Sequence, residues 1–296
     1  MYVVSFVLNR LNMELLDQLR RTLRGPGKTA LAVLRWRRAR FDEAPVIFGN
    51  AKAKSGSHLL LQVLSGFCQI APYRYVAEDP IRGITPEGRH RSAEEILADL
   101  KGLPSGVIGW GYLDATAANT ALLCQPGRVN YFIYRDPRDM LVSQVHFATD
   151  MHEGHGMHEY YKSLADFGER LKVAITGIDQ EGLHMVSVRE RYAGVFKWLE
   201  QPSVVCIRFE DLIDQRDATL NSMLDALEKS GYAIPTPREQ AIPILVQAIQ
   251  PKKSHTFRSG KTGGWHEQFS DEHKRLFKVV AGDLLIRLGY EKSNDW

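Results

Sequence analysis

Three cysteines in 296 residues (Cys68, Cys124 and Cys206) are too few and too widely spaced for a disulfide framework or a zinc ligand set. The pattern suits buried thiols in a reducing compartment, so a cytoplasmic location is expected. No apolar run approaches the roughly 20 residues that a membrane span needs. The net charge of +3 is too small a bias to argue for a nucleic-acid partner. Internal repeats and low-complexity tracts are absent. With 44% hydrophobic residues, the chain can bury one large core, and nothing in its composition forces a second domain.

A phosphate loop of the form G-x-x-x-x-G-K-[ST], which cradles a triphosphate with magnesium, is also missing. Gly25-Pro26-Gly27-Lys28-Thr29 has neither the earlier glycine nor a preceding strand. What is present is the run Val46-Ile47-Phe48-Gly49-Asn50-Ala51-Lys52-Ala53-Lys54-Ser55-Gly56-Ser57-His58-Leu59. An apolar, β-leaning stretch gives way to a short loop of Lys, Ser and Gly and then to a helical pattern. Such a junction aims backbone N–H groups and the positive end of a helix dipole at one small volume. Lys54 adds a charge, and Ser55 and Ser57 add hydroxyls. The loop reads as a cradle for an oxyanion, shorter than a triphosphate requires.

A second apolar strand, Val129–Tyr134, ends in Arg135, where a metal-positioning aspartate would stand in a magnesium-dependent enzyme. A helix then starts at Pro137, and Ser143 lies two turns inside it. A guanidinium donates two parallel hydrogen bonds to a phosphate, and a hydroxyl completes the cage. Near the C-terminus, Thr256 to Phe269 is basic and glycine-rich, with Arg258, Ser259, Gly260 and Lys261 flanked by aromatics. A loop of that make-up can close over a ligand.

Taken in order, these segments resemble the sulfotransferases that use 3′-phosphoadenosine 5′-phosphosulfate (PAPS). Lys54-Ser55-Gly56-Ser57 is similar to that family's 5′-phosphosulfate loop, P-K-S-G-T, with Ala53 in place of the proline. Arg135 and Ser143 are similar to its 3′-phosphate pair. Arg258-Ser259-Gly260 is similar to its R-K-G segment, and Gly263-Gly264-Trp265 to the G-x-W that follows. Phe209-Glu210-Asp211-Leu212 is similar to Y-E-D-[LM]. The resemblance implies that Lys54, Ser55, Gly56, Ser57, His58, Arg135, Ser143, Tyr192, Arg258, Ser259 and Gly260 hold PAPS, with Tyr192 at the adenine. It further implies sulfuryl transfer to a hydroxyl of a glycan, lipid or small molecule, without a metal, and with Lys54 stabilising the leaving oxygen.

The acceptor's general base is less direct. The histidine that many cytosolic members carry is replaced by Tyr112 in Gly109-Trp110-Gly111-Tyr112-Leu113. Other members use a carboxylate about one helix beyond the phosphosulfate loop, where Glu78 and Asp79 fall. These two are the leading candidates, followed by His58 and then Tyr112, since a phenol is a poor base at neutral pH. Two alternatives stand beside this reading: a phosphate-loop kinase of a small molecule, and an adenine-nucleotide-binding protein without catalysis.

Strands are expected near 46–49, 107–111, 129–135 and 204–209. Helices are expected near 58–69, 92–101, 117–124, 138–148, 160–174, 187–200, 217–230, 239–249 and 271–288. The alternation implies an α/β domain over residues 45–296, with one central parallel sheet covered on both faces and ligands at the strands' carboxyl ends. Residues 1–44 read as a basic amphipathic helical extension. Its eight basic residues between Gln18 and Phe41, with no acidic one, allow peripheral membrane contact through residues 1–40. His146, His152, His155 and His158 crowd thirteen residues. Their spacing fits no H-E-x-x-H site, and the segment is expected to be a polar lid or acceptor-contact loop.

Overall fold

The computed structural model describes residues 27–30, 32–36, 41–85, 88–253, 260 and 262–296. Its strands are β1 (Val46–Ala51), β2 (Tyr75–Val76), β3 (Ile81–Arg82), β4 (Val107–Tyr112), β5 (Arg128–Tyr134), β6 (Ile178–Gln180), β7 (Leu183–Met185) and β8 (Val204–Arg208). The central sheet runs β2-β4-β1-β5-β8, with β3 also paired to β4. Every pairing within it is parallel. β6 and β7 form a separate antiparallel hairpin.

The apolar runs of β1, β4 and β5 form this sheet because both of its faces are covered, so alternation with polar residues is not needed. On one face the helix Ser57–Ile70 packs Leu60, Val63, Leu64 and Phe67 with Leu224 and Leu245 from later helices. On the other, Leu141, Val145, Leu171, Trp198 and Phe277 build a second core. Gly111 allows β3 to lie close, since a Cβ there would collide with the Ile81 carbonyl. The parallel arrangement puts the carboxyl ends of β4, β1 and β5 side by side on one edge, which the residues after them share.

The four expected strands are present, each within about two residues of its expected bounds. β2 and β3 have only two residues each, too short for any periodicity to register. Three expected helices are interrupted. The 160–174 segment divides into His158–Ser163 and Phe167–Thr176, where Asp166 caps the second piece through Glu169 N–H. The 271–288 segment breaks at Gly282, whose φ is +59°. The helix Pro137–His146 runs on into a π turn, Phe147–Met151. Of the basic extension, residues 27–30 and 32–36 are helical, and the rest of its stripe, 1–26, lies outside the described residues. Among the described residues no helix is long and apolar enough to cross a membrane.

Candidate active site

β1 delivers the chain into a tight turn in which Ser55 N–H donates to the Lys52 carbonyl at 3.0 Å. Lys54 takes a left-handed conformation (φ +63°), uncommon for a residue with a side chain and found most often at functional sites. Gly56 follows at φ +94° and caps the helix Ser57–Ile70, which has neither a side-chain cap nor an acidic residue in its first turn. The first N–H groups of that helix are thus left for an external acceptor. Ser55 is fully buried and off the cavity lining, with its hydroxyl on the side of the Tyr192 phenol. A Cβ at Gly56 would run into the Phe209 ring, so that position admits only glycine.

A cavity of about 740 Å³ opens over this loop, within the range of small-molecule sites. Lys54, Gly56, Ser57 and His58 line it, together with Tyr112 from the end of β4, Arg135 from the end of β5, Ser143, and Gly260. The sequence-predicted phosphate grips among them thus share one cavity, and Ser55 lies buried off its lining. Lys54 Nζ stands 3.7 Å above the Phe147 ring. Burial, and secondarily the charge of Arg135, lower its pKa to about 8. Arg135 stacks on Phe209 at 4.4 Å and pairs with Asp139 at 3.4 Å. Buried Asp139 also accepts N–H donors from Gly263 at 2.8 Å and Trp265 at 2.9 Å. One carboxylate thereby ties the guanidinium to the glycine-rich C-terminal segment. Arg258 and Ser259 lie outside the described residues.

Several of the expected site residues stand elsewhere. Glu78 and Asp79, the leading base candidates, are exposed and absent from the cavity wall. Glu78 instead accepts Lys28 Nζ at 3.0 Å, because the basic extension packs beside it. Tyr192 is fully buried and also off the wall, with its hydroxyl donating to the Arg135 carbonyl at 2.9 Å. It braces the arginine's backbone from behind. Tyr112 does reach the cavity, where its hydroxyl donates to Ser57 Oγ at 2.9 Å. The four-histidine segment divides. His146 pairs with Asp150 at 2.9 Å and His158 bonds the Ala148 carbonyl at 2.8 Å, whereas His152 and His155 reach the wall. Among the described residues no three metal-ligating side chains converge.

Residues that sequence reasoning missed are Phe147, Arg82, Phe209, Ile213, Arg216 and Pro251 on the wall. Phe147 carries no local signal, because the π turn that swings it over Lys54 is set by packing. Phe209 had one, as the residue leading the Phe-Glu-Asp-Leu segment. None of the described wall residues is a carboxylate.

A parallel sheet whose central strand feeds an anion cradle defines a mononucleotide-binding α/β protein. Residues 131–289, more than half of the chain, match the family described as "Sulfotransferase domain", and the chain belongs to that family. The cradle at Lys54–Ser57 precedes the matched stretch, so the fold is what joins the two. Among solved structures, mouse sulfotransferase SULT7A1 complexed with PAP is similar, with a TM-score of 0.57 and 17% identity over 85% of this chain and 90% of that one. Retinol dehydratase in complex with androsterone and inactive cofactor PAP gives 0.54 and 15%, over 83% of each chain. The same enzyme with retinol and PAP gives 0.53 and 14%, over 88% and 86%. No curated protein matches the sequence significantly.

Proposed function

We propose that the protein moves the sulfuryl group of PAPS to a hydroxyl of a small acceptor and releases adenosine 3′,5′-bisphosphate (PAP). The observation that carries this reading is the placement of Lys54 and Arg135. They follow neighbouring parallel strands, β1 and β5, and line one cavity. Two cationic grips so placed suit the two separate phosphates of one nucleotide. PAP in the structural neighbours supports the same assignment.

In this reading the 5′-phosphosulfate lies in the cradle of Lys54, Ser55, Gly56, Ser57 and His58. The uncapped N-terminus of the helix Ser57–Ile70 supplies its backbone donors. Arg135 and Ser143 hold the 3′-phosphate, and the family resemblance assigns Arg258, Ser259 and Gly260 to the same nucleotide. Leu59, Ile213 and Pro251 offer the purine an apolar flank. Lys54 donates to the bridging oxygen as negative charge builds there, where partial desolvation strengthens the interaction. The rest of the cavity lining, with Tyr112, Arg82, His152 and His155, is left for the acceptor. The androsterone and retinol bound by the neighbours favour a small hydroxylated acceptor, and lipids and glycans belong in the same screen.

The test combines two measurements. PAP should raise the melting temperature, and labelled PAPS should pass its sulfate to at least one of a panel of hydroxylated lipids, saccharides and phenols without added metal. A protein that PAP leaves unchanged, and that hydrolyses ATP with magnesium instead, is not a sulfotransferase.

A further inference from the structure

We propose that His152 is the general base that removes the acceptor's proton, and that His155 beside it donates a hydrogen bond to the sulfuryl group in flight. The proposal rests on the sulfotransferase reading and assigns two groups within that site. Its starting point is the chemistry of the wall. Proton removal requires a basic lone pair close to the transferred group, and the described wall contains no carboxylate. The imidazoles on it are His58, His152 and His155.

Phe147 fixes where the last two stand. Lys54 Nζ sits over its ring at 3.7 Å, while the rings of His152 and His155 meet it edge-on at 5.4 and 6.0 Å. Both imidazoles are thereby within about 10 Å of the ammonium that receives the leaving oxygen, a span that a sulfuryl group and an attacking hydroxyl can fill. The loop carrying them is pinned at both ends, by His146 with Asp150 and by His158 with the Ala148 carbonyl. Between these anchors, His155 N–H closes a turn on the His152 carbonyl at 3.0 Å.

The two rings are not equivalent. His155 Nδ1 accepts the Met157 N–H at 3.1 Å, which puts the neutral ring's proton on Nε2 and makes it a donor. Burial, then the charges of His152, Lys54, Arg191 and His158, lower its pKa and keep it neutral. The ring nitrogens of exposed His152 make no hydrogen bond among the described residues, so one can offer a lone pair. His58 lies in the first turn of the cradle helix, on the nucleotide's side. Tyr112 already spends its proton on Ser57. In the step itself, the acceptor O–H bond breaks toward His152 and its oxygen bonds to sulfur. The S–O bond to the 5′-phosphate breaks with its electron pair left on the bridging oxygen. The imidazolium then returns its proton to solvent.

The test uses the full chain and whichever hydroxyl acceptor turns over best with PAPS. His152→Asn should lower kcat by roughly 10²–10³-fold, abolish the acidic limb of the kcat/KM pH profile, and recover in part with added imidazole. PAP should still raise its melting temperature as in the parent, which separates lost chemistry from lost fold. His155→Asn should lower kcat by about tenfold and keep the acidic limb. Parental turnover in His152→Asn overturns the assignment, as does an acidic limb that persists there and vanishes in a Glu78→Gln/Asp79→Asn protein. A parent that binds PAP but transfers sulfate to nothing overturns the sulfotransferase reading and this one together.

Discussion

Raising the pH from about 7 to about 9 should weaken PAP binding about tenfold through Lys54 alone. Burial and the nearby Arg135 charge bring this lysine's pKa down to about 8. In the unliganded protein it is then about nine-tenths protonated at pH 7, half at pH 8 and one-tenth at pH 9. A phosphate in the cradle demands the charged form, so affinity follows the protonated fraction. Calorimetry at pH 8 in buffers of different ionisation enthalpy should show uptake of roughly half a proton per PAP bound. Lys54→Arg, which keeps its charge throughout, should bind with no such slope. The unliganded fold responds in the opposite sense. A lysine whose native pKa lies below 10.5 binds fewer protons folded than unfolded, so its contribution to stability is present above 10.5 and lost as pH falls through about 8. Affinity that stays flat from pH 7 to 9, or a slope that survives in Lys54→Arg, refutes the placement of the phosphate on Lys54.

Three other perturbations test neighbouring parts of the site. Gly56→Ala must force a side chain into φ +94° against Phe209; it should cost about 2 kcal/mol in denaturant unfolding and abolish PAP-induced stabilisation. Arg135→Ala should reduce PAP affinity by about 30-fold yet barely alter that for adenosine 5′-monophosphate, and equal losses for the two nucleotides would contradict a 3′-phosphate grip. Asp139→Asn leaves one of two buried N–H donors, from Gly263 and Trp265, facing an amide donor. A stability loss of about 2 kcal/mol with weaker PAP binding is expected, read by melting and by calorimetry.

That Lys54, Ser57, Arg135 and Ser143 meet at one cavity was legible in the chain because the segments carrying them are encoded locally. An apolar run, a Lys-Ser-Gly turn and a helical pattern specify strand, cradle and dipole within a dozen residues, and Arg135 follows its strand directly. The acceptor side was not, because it is assembled from segments far apart in sequence. Glu78 met the spacing expected of a catalytic carboxylate, yet it lies off the cavity lining and pairs with Lys28 at the surface. Tyr192 fell in the expected helix but is buried, with its hydroxyl on the Arg135 carbonyl, a placement set by packing that no local pattern records.

The sequence alone therefore determined the parallel α/β architecture, the anion cradle at Lys54–Ser57 and the second cation at Arg135. Each depends on periodicity or on neighbours along the chain. Only the tertiary structure decided which histidines meet the cavity and that none of its described lining residues is a carboxylate. A π turn displaces Phe147 over Lys54 and carries His152 and His155 with it, and such a turn is fixed by packing between helices whose contacts no local pattern records.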